Sequence, residues 1–206
     1  KQENIEEVKL PNNFDVGFYK TKSNNFNYII SLVTDKPYNK KAGVLEVLNE
    51  IYAMGTAKTS EEDWNNIKEG NDISVNATAA TSGISVIADG SQKNRKLALG
   101  KAEEILYNPN ITQENLDKAK DIIKDLCARS QDTANTLYCN DEAKSNPYSF
   151  TKEEVLNALD TITLDDVKDC HNYILNNSRG VIVANLPANS ENECKQDILN
   201  AGMGLA

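Results

Sequence analysis

Histidine is nearly absent from this chain: its 206 residues include one, His171. A zinc site built on paired imidazoles is therefore not available within it. The four cysteines, Cys127, Cys139, Cys170 and Cys194, form no C-x-x-C pair, which argues against a structural zinc site. No stripe of Lys and Arg suited to phosphates occurs, so nucleic acid is not an expected partner. No apolar run approaches the ~20 residues needed to span a bilayer. The glycines form no phosphate-cradling loop. Ser82, in Thr81-Ser82-Gly83, lacks both a G-x-S-x-G context and a histidine partner. The opening Lys1-Gln2-Glu3-Asn4-Ile5 lacks the pattern of a signal peptide, which says nothing about a longer parent protein.

What the chain does have is acidic charge, net -9, interspersed with basic residues as on a solvated surface. Its length suits one domain with a sizeable core. Four cysteines allow three disulfide pairings, and free thiols are the expected state. Cys127 and Cys170 fall in helical stretches and read as small apolar residues. His171 follows Cys170 directly, and adjacent helical residues do not face each other, so the pair reads as packing rather than as a catalytic dyad.

Strands are expected at Val8–Leu10, Phe14–Lys20 and Phe26–Thr34, the last rich in β-branched and aromatic residues. From Ala42 to Met54 the period turns helical, with Val44, Leu45, Val47, Leu48, Ile51 and Tyr52 as an apolar stripe and Gly55 as a stop. Ser60 caps a short helix carrying Trp64 and Ile67 and closed by Gly70. Two more strands, Asp72–Thr78 and Gly83–Asp89, are joined by a connection too loose to read as a tight hairpin. Helices follow over Ser91–Tyr107 and from Thr112 to Arg129. Thr151-Lys152-Glu153-Glu154 is a capping box, and Thr163-Leu164-Asp165-Asp166 opens a further helix. Gly180–Asn185 is a last strand. This order predicts an α+β fold with helices packed on one face of a mainly antiparallel sheet. Residues 1–187 read as a single domain, and residues 188–206 as a polar linker with a short helix from Cys194.

Four stretches together resemble one module of the pitrilysin/insulinase family of metallopeptidases, the inverted zincins. They are Leu10-Pro11-Asn12-Asn13-Phe14; Gly43 to Thr56; Asn76-Ala77; and Asn146-Pro147-Tyr148 followed by Leu164-Asp165-Asp166-Val167 and Val181-Ile182-Val183-Ala184. The second fits the frame of the family's H-x-x-E-H helix, whose two histidines and glutamate bind zinc and activate water. Here Glu46 stands at the first His, Asn49 at the catalytic Glu and Glu50 at the second His. For the third ligand, an acidic residue on the long following helix, the nearest candidate is Asp125.

The resemblance implies a non-catalytic module of a zinc metallopeptidase. Such a module helps to enclose unfolded peptides and abuts a catalytic module, in the same or a partner chain, that holds the zinc and hydrolyses peptide bonds. Residues 188–206 would then lead to a further module. No metal or cofactor is expected in this chain. Ser74, Val75, Asn76, Ala77 and Thr78 would correspond to the strand that accepts peptides by backbone pairing, although an ordinary strand paired within its own sheet is the simpler reading.

Two rivals remain. Glu46, Glu50 and Asp125 could hold a harder cation such as Mg²⁺ or Mn²⁺, but Asn49 supplies no base. A purely structural scaffold with no associated peptidase is the other. Substrate, oligomeric state and compartment are not legible. The Asn/Lys/Ile-rich composition is compatible with a bacterial source, and export to the periplasm or beyond is the setting the resemblance suggests.

Overall fold

A computed structural model describes residues 6–129 and 150–205. Cys139 and the Asn146-Pro147-Tyr148 motif lie outside the described residues. The fold is α+β: a six-stranded sheet of order β1-β2-β6-β3-β5-β4, with helices packed on one face. The strands are β1 (Glu6–Lys9), β2 (Phe14–Thr21), β3 (Asn25–Thr34), β4 (Ile73–Ala80), β5 (Gly83–Ser91) and β6 (Ser178–Pro187). All neighbours pair antiparallel except β2 and β6, which run parallel. The last strand in sequence thus lies in the middle of the sheet, with Ile182 opposite both Val16 and Ile30.

Alternation decides which face is buried. Phe26, Tyr28, Ile30 and Leu32 of β3 point into the core with Phe14, Val16 and Phe18 of β2. The opposite face is not covered by any described helix and exposes Ile29 and Ile87, which are cross-strand partners.

Seven α-helices occur among the described residues: α1 (Val44–Tyr52), α2 (Glu61–Asn71), α3 (Arg95–Tyr107), α4 (Gln113–Arg129), α5 (Lys152–Ala158), α6 (Leu164–Asn176) and α7 (Glu191–Gly204). Their starts follow the expected chemistry. Ser60 Oγ accepts the Asp63 N–H, and Thr151 and Thr163 each form a complete capping box, with Glu154 and Asp166 respectively.

Three boundaries differ from the sequence reading. Gly70 lies inside the last turn of α2, and the left-handed residue that ends the helix is Asp72, at φ 50°. The β4–β5 connection is a tight two-residue hairpin over Thr81-Ser82. Tertiary bonds hold that turn, since Thr34 N–H donates to the Ser82 carbonyl and Tyr38 N–H to that of Thr81. Residues 188–190 are a short turn, and the fourteen-residue α7 starts at Glu191 rather than Cys194, packs on β2, β6 and α3 and buries Cys194 and Ile198. No helix among the described residues is long and apolar enough to cross a membrane.

Candidate functional site

The helix with the degenerate motif, α1, is framed by two glycines whose conformations explain them. Gly43 at its N-terminus has φ 86° and Gly55 beyond its end has φ 75°. A Cβ on Gly55 would sit 2.5 Å from the Thr59 carbonyl oxygen. Thr56 then anchors the exit. Its hydroxyl donates to Glu104 Oε1 of α3 at 2.5 Å and accepts from the Thr59 N–H at 3.0 Å. Thr59 and Lys101 also donate to Glu104. Burial pushes the Glu104 carboxyl up, but these hydrogen bonds outweigh it and hold the group below the usual carboxylate range.

Between the glycines, Val44, Val47, Leu48 and Ile51 are fully buried, and Glu46, Asn49 and Glu50 lie half-buried on the other side. Asn49 has a defined task. Its Nδ2 donates to the Ala79 carbonyl at 2.9 Å, and its Oδ1 accepts the Ala79 N–H at 2.5 Å. One side-chain amide therefore joins α1 to the backbone of edge strand β4. Burial raises the Glu46 carboxyl above its ordinary range. Burial also pushes the Cys170 thiol up to about 12, with a smaller push from the charge of Glu46. Cys170 is thus an inert thiol at neutral pH; Cys194 is likewise buried and free, and Cys127 is buried.

Asp125 is not brought to this helix. It is exposed on α4 and pairs with Arg129 at 3.2 Å, whereas Ile123 and Cys127 occupy the buried side of α4, the helix that packs on α1. Among the described residues no group of three His, Cys, Asp or Glu could hold a metal ion. The donor set does not fit zinc: the amide at the place of the base is committed to Ala79, and the acid at the place of the third ligand faces solvent.

His171 is a core residue. Its Nε2 lies 2.7 Å from the Leu106 carbonyl, which can only accept, so Nε2 carries the proton. Nδ1 then accepts from the Tyr52 hydroxyl at 2.8 Å. Burial lowers the imidazole pKa, partly offset by the Leu106 bond, and the ring bridges α1, α6 and α3 as a neutral group.

Strand β4 lies at the sheet edge, paired on one side with β5. In an antiparallel ladder alternate residues turn their N–H and C=O away from the partner. Ala79 does so, as its bonds to Asn49 show, and Ala77 and Val75 must follow at the same period. Among the described residues no further hydrogen bond meets those two backbones. The Val75 and Ala79 side chains are buried, Asn76 and Thr78 are exposed, and Asn76 Nδ2 donates to Ser74 Oγ at 2.8 Å. The Asn49–Ala79 bridge, the Tyr52–His171 pair and the role of Glu104 carry no sequence signature. A polar residue on the strand-facing side of an apolar helix is the only hint for the first.

No protein-family model and no curated protein sequence matches the chain. Solved structures do match its fold. A protease from Helicobacter pylori superposes over 98% of this chain and 50% of its own, at 15% identity and a TM-score of 0.75. A peptidase M16 inactive domain from Pseudomonas fluorescens matches over 98% and 51%, at 14% identity and a TM-score of 0.77. A conserved protein from Enterococcus faecalis matches over 99% and 53%, at 13% identity and a TM-score of 0.73. The chain therefore has a pitrilysin-like fold and spans about half the length of these neighbours.

Proposed function

We propose that this chain is a non-catalytic module of a metallopeptidase of the pitrilysin/insulinase type. It forms part of the wall of a peptide-enclosing chamber and abuts a catalytic module that holds zinc and cleaves peptide bonds. The observation that carries this reading is Asn49. At the place where hydrolysis needs a carboxylate base there is an amide, and both of its polar atoms are used to hold a strand. The fold shared with an M16 inactive domain supports the reading. The sheet face that no described helix covers, with Ile29 and Ile87 near its middle, is the surface such a wall would present.

Within that role, the outer edge of β4 over Ser74 to Thr78 is the candidate peptide contact, through backbone pairing that tolerates many sequences. Backbone-amide shifts at Ser74 to Thr78 on addition of an unfolded peptide test this part. No change there would refute it.

The complete reading frame and its neighbours test the larger claim. The expected finding is an intact H-x-x-E-H helix in another module of the same polypeptide or in an adjacent gene. If neither holds one, the structural-scaffold alternative takes its place.

A further inference from the structure

The two edges of the sheet are guarded differently. At one edge, the described part of β1 covers Glu6–Lys9, and three of these residues, Glu6, Glu7 and Lys9, are charged. Charged edges discourage pairing with other chains. At the other edge, β4 has eight residues, Ile-Ser-Val-Asn-Ala-Thr-Ala-Ala, with no charge and no proline. By composition it is open to strand addition along its length. Among the described residues its one guard is Asn49, which engages both the N–H and the C=O of Ala79. A carboxamide carries a donor nitrogen and an acceptor oxygen, the same kinds of group that a residue of an added strand would offer.

We infer that Asn49 is a built-in edge plug. Its amide takes the place of one residue of an incoming strand, ends pairing at Ala77, and so fixes the register of any extended peptide on β4. Among the described residues the outward groups of Ile73, Val75 and Ala77 are left for such a peptide. The inference rests on reading β4 as a peptide-accepting edge and adds the residue that limits it. A carboxylate at position 49 could accept the Ala79 N–H but could not donate to its carbonyl, so the amide is what closes both groups.

Amide exchange resolved by residue tests this in the full chain, for wild type, Asn49→Ala and Asn49→Ser. The last is a second variant too short to reach the strand. The probe is a synthetic peptide of the β5 sequence Gly83–Ser91, which already pairs with β4 on its inner side. Without peptide, the Ala79 amide exchanges at least about tenfold faster in either variant than in wild type. With peptide, wild type gains protection at Val75 and Ala77 but not at Ala79, and the variants gain it at all three.

Equal Ala79 exchange in wild type and both variants overturns the plug, as does peptide protection at Ala79 while Asn49 is present. Protection confined to Val75 and Ala77 in every protein also overturns it, while leaving the edge reading standing. Protection in the variants alone keeps the plug and removes the wild-type edge as a peptide site. No protection in any protein removes both.

Discussion

Asn49 and His171 are the residues at which side-chain chemistry and position part company. Each is polar, and each is consumed by structural hydrogen bonds. His171 is the clearer thermodynamic case. Its folded-state pKa lies below the ordinary 6.5, so the unfolded chain takes up the proton first as pH falls. The stability tied to the neutral ring is complete above 6.5 and is lost as pH drops from 6.5 towards the lowered value. Urea denaturation between pH 7 and about pH 5 should show a steeper loss in wild type than in His171→Gln. Tyr52→Phe leaves the buried Nδ1 without its donor and should cost about 1–3 kcal/mol at pH 7. Gly55→Ala places a side chain at φ 75° against the Thr59 carbonyl and should cost more than about 1 kcal/mol, read as a lowered urea midpoint.

At the scale of elements, α7 shows how a helix with a polar sequence is bound to the rest. Arg95 at the start of α3 donates from Nε and from one terminal nitrogen to Asp197 Oδ2, at 2.9 and 2.6 Å, with both side chains less than one-sixth exposed. Asp197→Ala would leave Arg95 largely buried with the Gln92 carbonyl at 3.0 Å and, as its remaining carboxylate, the exposed Glu193 at 3.5 Å. A loss of about 2–4 kcal/mol is expected, with faster amide exchange along α7. The local elements were legible because their signals are local. Alternation marked β2, β3 and β5, apolar spacing marked α1 and α4, and Ser60, Thr151 and Thr163 marked helix starts. Partnerships made in space were not legible. The parallel β2–β6 pair, the tight turn held by Thr34 and Tyr38, and the docking of α7 all join residues distant in sequence. The outward face of Asp125 follows from helix phase, which a one-residue uncertainty in alignment erases.

For the whole molecule, the Gly43 to Thr56 segment is held by packing and structural hydrogen bonds. The Gly43 and Gly55-Thr56 frame keeps α1 in place, Asn49 ties it to the sheet edge, and Tyr52 ties it through His171 to α6 and α3. Under the proposed function, catalysis belongs to another module, and this chain contributes wall and contact surface. Elemental analysis combined with a cleavage assay on the purified chain, using an unfolded protein substrate with and without chelator, tests that claim most directly. The account predicts no stoichiometric metal and no chelator-sensitive cleavage. One metal ion per chain together with cleavage abolished by chelator would contradict it.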